Sequence, residues 1–460
     1  MLFLFYEEKG IEMPENSIFV VRAVDLTHDG LGVTKLEDGY TVFVEDLLKG
    51  EAAKIEVIER RKSYGFGKVI ERLNRSPYRQ APKCKHFYEC GGCELMHMDY
   101  DVQTAFKKYR IELMVKKLNQ DDIIVEEITS MVNPYHYRNK VEIKFAQGEK
   151  GIKAGFFKAK SHHVVDLQEC FVMQKKSFEL LNLIRNLANQ FHIKAYDAST
   201  NQGVLKSAVI RESNKYKEIS VLFNVATDEI PNEKEFVEAI ANNIPEVKGI
   251  GISKTLVDES FLSDEKIRLV YGRDYVRDEI LDKQFEIGFR SFFQVNTLQA
   301  ERLYKKVIEF ARFTNKDRVI DAYSGIGSIA LSIADKVNKV FGIEIVKSAI
   351  DDSKRNARIN GITNALFELG HVDKVLEKWK NFNFDAIIVD PPRKGCSKEL
   401  LDSIIKMKFP KVIYISCNPA TLARDLEFLL KNNYKINRIA PVDMFPQTSH
   451  VESVSLLSLK

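Results

Sequence analysis

From Asp282 to the end of this 460-residue chain, short apolar runs alternate with segments of helical period. The runs are Arg318-Val319-Ile320-Asp321, Lys339-Val340-Phe341-Gly342-Ile343-Glu344, Asp385-Ala386-Ile387-Ile388-Val389-Asp390 and Val412-Ile413-Tyr414-Ile415-Ser416, with helices starting at Ser328 and Lys347. Regular strand–helix alternation predicts an α/β domain built on a doubly wound parallel sheet over 282–460. Ligands bind such sheets beyond the carboxyl ends of the strands, so the residues just after each run matter most.

The rest of the chain has two other rhythms. Over 15–75, short β-rich runs (Ile18-Phe19-Val20-Val21, Tyr40-Thr41-Val42-Phe43-Val44, Ala53-Lys54-Ile55-Glu56-Val57-Ile58) are separated by glycine-containing turns, which predicts a small barrel of five strands. Over 76–281, helix-period segments (178–191, 233–244) mix with strands such as Ile219-Ser220-Val221-Leu222-Phe223, as in an α+β domain. Residues 1–14 read as an extension, with Met13 an alternative start.

A net charge of +4 does not by itself mark a nucleic-acid binder. From Lys54 to Lys85, however, Lys54, Arg60, Arg61, Lys62, Lys68, Arg72, Arg75, Arg79, Lys83 and Lys85 face only Glu56, Glu59 and Glu71. That stripe suits a phosphate backbone, or else is a solvated face. No run is long enough to span a membrane, Met1–Tyr6 lacks the features of a secretion signal, and six unevenly placed cysteines do not form a disulfide framework. A cytoplasmic protein is expected.

The strand ends carry a specific set. Asp321 leads into Ala322-Tyr323-Ser324-Gly325-Ile326-Gly327, where two glycines allow close approach to a ligand. Glu344 can accept hydrogen bonds from both hydroxyls of a ribose. A nicotinamide dinucleotide would fit this much, but the loop lacks the third glycine of that fingerprint. Asp390-Pro391-Pro392 points instead to S-adenosylmethionine. Cys417 follows a strand and precedes Asn418-Pro419, a cap and first turn for a helix whose positive end should lower the thiol pKa. The alternatives are a buried structural cysteine, or Cys396 as the nucleophile.

Together these segments, with Ser291-Phe292-Phe293-Gln294-Val295-Asn296, Arg393-Lys394-Gly395 and Pro446-Gln447-Thr448-Ser449-His450-Val451-Glu452, resemble the RNA uridine-5-methyltransferase family over nearly the whole chain. The barrel, with Asp29-Gly30-Leu31-Gly32-Val33 and Tyr64-Gly65-Phe66-Gly67-Lys68-Val69, resembles a TRAM domain, an oligonucleotide-binding-like fold. The resemblance implies that Gln294, Tyr323, Glu344 and Asp390 contact S-adenosylmethionine, that Cys417 is the nucleophile and that Glu452 is the base. Ser324 occupies a position that is often cysteine in the family. The resemblance also implies an RNA substrate, 23S rRNA before tRNA; because a helix hides carbon 6 of uracil, a flipped or single-stranded uridine is expected, and a monomer is the simpler expectation.

Cys84, Cys90 and Cys93, with five and two residues between them, and the distant Cys170 form a second set. Four thiolates suit tetrahedral zinc or a cubane cluster, and the resemblance favours a 4Fe-4S cluster. Radical chemistry would need an open iron, which a fourth cysteine ligand removes. Tyr135, His136, Tyr137, Arg138, Asn139, Lys140, Lys158, Lys160, His162 and His163 combine rings and charge as unpaired RNA would require. Competing readings are an amino-group methyltransferase, which would place an aromatic residue where Arg393 stands, and a non-catalytic RNA-binding protein. His450 either orients substrate or holds its loop.

Overall fold

The computed structural model describes residues 18–120, 122–254 and 267–460, so the extension expected at 1–14 lies outside it. The chain divides into two compact units. The first takes in the chain up to Lys83, Cys93–Gln103 and Gln447–Ser449; the second takes in Cys84–Gly92, Thr104–Pro446 and His450–Lys460.

In the first unit, strands β1 (Ile18–Arg22), β2 (Asp25–Leu26), β3 (Gly32–Lys35), β4 (Thr41–Glu45), β5 (Ala52–Arg60) and β6 (Tyr64–Arg72) follow the order β1-β5-β6-β4-β3-β2. The expected five strands become six because the first bends at Ala23–Val24. Its front half pairs with β5 and its back half with β3. One bent strand thus serves both ends of the sheet and closes the barrel, protecting its edges. Val42, Val44, Ala53, Ile55 and Val57 fill the interior at alternate positions.

Part of the basic stripe is turned inward. Arg79 donates to Glu51 through Nε (2.6 Å) and Nη2 (2.7 Å) and to Asp46 through Nη1 (2.6 Å). Arg72 joins the same two carboxylates. Burial opposes the charge on Glu51, but bonds from Arg79 and the Leu48 and Ser76 amides hold its pKa down to about 2. Arg72 and Arg79 are therefore structural ions here, not the phosphate contacts that the stripe suggested.

The second unit holds most of α1 (Tyr100–Lys117), then β7 (Ile124–Val125), β8 (Lys140–Gly148), β9 (Gly151–Phe157), β10 (Val164–Asp166), α2 (Lys175–Gln190), β11 (Leu205–Glu212), β12 (Ile219–Val225), α3 (Glu233–Asn243), β13 (Val247–Lys254) and β14 (Ile267–Gly272). Seven of these strands form a sheet in the order β10-β9-β8-β11-β12-β13-β14. Leu180, Leu181 and Ile184 of α2 and Phe236 and Ile240 of α3 share a core with Ile143, Ile210, Val221 and Ile250. A hairpin of β15 (Tyr275–Ile280) and β16 (Lys283–Gly288) follows, turning at Leu281 and Asp282, both at positive φ.

Next come α4 (Thr297–Ala311), β17 (Arg318–Asp321), α5 (Ser328–Ile333), β18 (Lys339–Glu344), α6 (Lys347–Ile359), β19 (Ala365–Leu369), α7 (Val372–Trp379), β20 (Ala386–Val389), α8 (Lys398–Met407), β21 (Lys411–Ser416), α9 (Pro419–Leu430), β22 (Tyr434–Val442) and β23 (Glu452–Leu459). Their sheet runs β19-β18-β17-β20-β21-β23-β22-β7. It is parallel from β19 through β21, but β23 enters antiparallel between β21 and β22. Alternate residues of each strand face opposite cores: Val319, Ile388 and Ile413 meet one, Ile320, Ile387 and Val412 the other. The sheet is doubly wound, and its order reverses at β17, where a ligand crevice is expected.

Candidate active site

Asp321, at the end of β17, is completely buried. Its Oδ2 accepts from the Ala330 amide at 3.1 Å, whereas Oδ1 has no hydrogen-bond partner. The Ser324 hydroxyl, also buried, is likewise unpaired. Burial and the neighbouring Asp390 push Asp321 up to about 7. Gly325 (φ +51°) and Gly327 (φ +85°) turn the loop into α5, and space around Gly325 is open. Buried polar atoms without partners beside an open glycine turn suit a polar ligand such as S-adenosylmethionine.

Glu344, at the end of β18, accepts from the Ile345 and Val346 amides through Oε1 (2.8 and 2.9 Å) and from Gly325 through Oε2 (3.0 Å). Three backbone donors fix this carboxylate beside the glycine loop. Gln294 lies between β16 and α4; its Nε2 donates to Asp390 Oδ2 at 3.4 Å, and its carbonyl accepts from Asn139 at 2.9 Å. Tyr323 packs into the core beneath the loop, its hydroxyl pKa raised by burial. The four expected cofactor residues thus lie at or beside the carboxyl ends of β17, β18 and β20.

Cys417 follows β21 directly. As expected, Asn418 caps α9, accepting from the Ala420 amide at 3.0 Å, and Pro419 opens the first turn. The expected lowering of the thiol pKa does not follow. Burial, then the charges of Glu452 and Asp390, push Cys417 up to about 11 against the opposing Arg393. Two carboxylates and desolvation outweigh a helix terminus, whose effect is worth about 1 kcal/mol. Glu452 opens β23 and is itself buried. Desolvation and Asp390 hold it above the usual carboxylate range. Cys396, the competing nucleophile, is sealed in the interior and pushed up to about 12.

Several contributors were not read from the sequence. Asp425, fully buried on α9, accepts from the Tyr414 hydroxyl (2.6 Å) and the Cys396 amide (2.8 Å). Asn418 Nδ2 and Thr421 Oγ1 donate to the Arg393 carbonyl at 3.1 and 3.2 Å. The Asp390–Cys396 loop is thereby clamped to the helix that begins beside Cys417. The available signal was a carboxylate on the apolar stripe Leu422, Leu426, Leu429 of α9. Arg393 in turn meets His450, Nη2 to Nε2 at 3.1 Å, and burial and surrounding cations lower the histidine to about 4. The lowered pKa favours a neutral imidazole, whose ring nitrogen can accept from the guanidinium. A cavity of about 1040 Å³ at the free edge of the sheet, bordered by Arg318, Phe341 and Trp379, is lined by none of these side chains.

The Cys84–Gly92 segment is tied to the seven-stranded sheet: Gly91 donates to Phe157 (3.1 Å), Lys85 to Glu169 (2.6 Å), and Gln168 to His86 (3.0 Å). Cys170 raises the thiol pKa of both Cys84 and Cys90, though burial is the larger cause. Among the described residues, no group of three or more Cys, His, Asp or Glu closes into a metal-holding arrangement. The donor chemistry suits a soft metal or cluster, but these side chains do not form a finished ligand set.

A family model for tRNA (uracil-5-)-methyltransferases matches residues 99–460, and a TRAM-domain model matches 18–70. An RNA methyltransferase of Halalkalibacterium halodurans is 40% identical over 97% of this chain and 98% of its own length. One from Clostridium acetobutylicum is 35% identical over 98% and 99%. The crystal structure of Pyrococcus abyssi tRNA (uracil-54, C5)-methyltransferase with S-adenosyl-L-homocysteine aligns with a TM-score of 0.76 at 27% identity, covering 95% of this chain and 99% of that one.

Proposed function

The chain belongs to the tRNA (uracil-5-)-methyltransferase family, whose members methylate RNA with S-adenosylmethionine, and we propose that Cys417 and Glu452 perform the carbon chemistry on one uridine. The supporting observation is their convergence at the strand ends beside Asp390. Carbon 5 of uracil is a poor nucleophile. The Cys417 thiolate adds to carbon 6, forming a C–S bond and an enolate with electron density on carbon 5. Carbon 5 then takes the methyl group. Glu452 removes the carbon 5 proton, and the electron pair re-forms the 5,6 double bond as the C–S bond breaks. S-adenosylmethionine supplies an electrophilic methyl on a positively charged sulfur. Arg393 opposes the burial and the two carboxylates that raise the Cys417 thiol. Gln294, Tyr323, Glu344 and Asp390 are the residues that would hold the cofactor.

We take 23S rRNA as the substrate, tRNA being the second reading. The Pyrococcus abyssi tRNA enzyme favours the second, because it aligns over 95% of this chain and so leaves the barrel a poor discriminator. Incubating protein and S-adenosylmethionine with unmodified 23S rRNA or tRNA, followed by mass spectrometry for 5-methyluridine, separates the two. Product in rRNA alone supports the first, and product in tRNA alone the second. Product in neither, with cofactor bound, overturns the uridine assignment. We further propose a monomeric cytoplasmic enzyme with a 4Fe-4S cluster on Cys84, Cys90, Cys93 and Cys170, supported by the Lys85–Glu169 and Gln168–His86 bonds that hold the Cys84–Cys90 segment against the chain beside Cys170. Visible absorption with four irons per chain in anaerobically purified protein tests it; stoichiometric zinc overturns it.

A further inference from the structure

Three aromatic residues of the barrel stand on its outer face, away from the core that Phe19 and Tyr40 pack against. On β6, Gly65 and Gly67 point inward while Tyr64, Phe66 and Lys68 point outward. The inward positions are tight: a β carbon at Gly65 would come 2.7 Å from the Glu59 carbonyl oxygen, which excludes it, and one at Gly67 would stand 3.2 Å from the Glu56 oxygen. On the neighbouring β4, Val42 and Val44 fill the interior and Phe43 points out. The parallel register sets Phe43 beside Phe66 and Thr41 beside Tyr64. Phe43, Tyr64 and Phe66 are absent from the barrel core and each keeps part of its surface in solvent.

The three rings form one cluster on that face. Centroid separations are 5.4 Å for Phe43–Tyr64, 5.9 Å for Phe43–Phe66 and 5.7 Å for Tyr64–Phe66. The Arg61 guanidinium lies 5.5 Å from the Tyr64 and Phe66 rings and is held there by Glu59, which accepts from its Nε at 2.7 Å, whereas Arg60, opposite Gly65, lies over Tyr40 on the other face. Lys35, opposite Thr41 on β3, and Lys62, in the β5–β6 turn, are exposed beside them. Half-exposed rings in one row, bordered by exposed cations, offer both contacts that single-stranded nucleic acid needs: π faces for bases and positive charge for phosphates.

We propose that Phe43, Tyr64 and Phe66, with Arg61, Lys35 and Lys62, form a stacking platform for about two or three unpaired nucleotides of the substrate RNA, away from the methylated uridine. This rests on the RNA reading above and adds to it the residues, the strandedness and the mode of contact. Stacking reads no base identity, so the platform holds substrate without specifying its sequence.

The test measures RNA affinity, not turnover, by fluorescence anisotropy of the full chain with a short unstructured fluorescent RNA and with a duplex of equal length. Phe43→Leu and Phe66→Leu keep apolar bulk but remove the aromatic face. Each is expected to weaken single-strand binding about tenfold with an unchanged melting temperature and salt slope, while Phe66→Tyr binds as wild type. Lys62→Ala is expected to reduce the salt slope by about one. Leucine variants that melt and bind like wild type overturn the platform, as does preferential duplex binding that they do not alter. Loss of affinity in these variants, alongside wild-type protein that methylates neither rRNA nor tRNA, supports the platform while refuting the uridine reading. Methylation with fully retained affinity in the variants does the reverse.

Discussion

Ser416 and Ser453 face each other across the antiparallel pair β21 and β23, so the next residues along the register, Cys417 and Glu452, emerge opposite one another at the carboxyl end of the sheet. The C-terminal strand returns antiparallel into a parallel sheet and brings in its first residue where the thiol stands. A parallel strand would have presented its other end.

Removing either member of this pair should stop catalysis at a different stage. Cys417→Ala is expected to form no covalent RNA complex and no product. Glu452→Gln should lower turnover by roughly 10²–10⁴-fold and accumulate a methylated protein–RNA adduct, seen as a slow band on a denaturing gel. Normal turnover of the glutamine variant without adduct would refute the base assignment.

The carboxylates should link cofactor affinity to pH. Burial raises Asp321, Asp390 and Glu452, and Asp390 raises both of the others, so part of this cluster is protonated near neutrality. A positively charged ligand favours the ionised forms. S-adenosylmethionine affinity should therefore rise as the pH increases from about 6 to about 8, by up to about tenfold per unit for one linked proton. S-adenosylhomocysteine, which lacks the sulfonium charge, should show no such rise. Calorimetry with both ligands across that range checks the difference.

The clamp under the Asp390–Cys396 loop should matter more to rate than to cofactor binding. Tyr414→Phe removes the 2.6 Å bond to Asp425 and leaves the Cys396 amide as a partner. We expect a loss of about 1–3 kcal/mol of stability and a fall in kcat with little change in KM for S-adenosylmethionine. Thermal melts and steady-state kinetics measure both, and an unchanged kcat would show that Arg393 does not depend on this support.

The first unit should resist acid through Glu51. Its pKa is depressed, so the stability it contributes is present above the ordinary carboxylate range and is lost as pH falls through about 2. Arg79→Leu leaves Glu51 buried without its main partner and should cost about 3–5 kcal/mol. Circular dichroism during acid titration should show the variant unfolding at higher pH than wild type.

Much of the site was legible before the fold was known, because its residues follow strands, and strand–helix alternation is a local property. Asp321, Glu344, Asp390 and Cys417 could be located from β-branched runs and the glycine and proline turns that end them. The cap at Asn418 depends on its neighbours alone and was read correctly. The bent first strand of the barrel was not, since its division depends on pairing with β5 and β3 on opposite sides.

By itself, the sequence determined the strand ends and the helix behind Cys417, both set by contacts within a few residues. Only the tertiary structure decided the electrostatics and the partners. The Cys417 thiol is raised first by its own burial and then by Glu452 and Asp390, which arrive from other strands. Arg72 and Arg79 read as phosphate ligands until the barrel turned them onto Asp46 and Glu51. Tyr64 and Phe66 read as barrel residues until the pleat set the glycines inside and the rings outside. Charge and exposure depend on what the chain brings together from a distance, and that is fixed only when the sheets close.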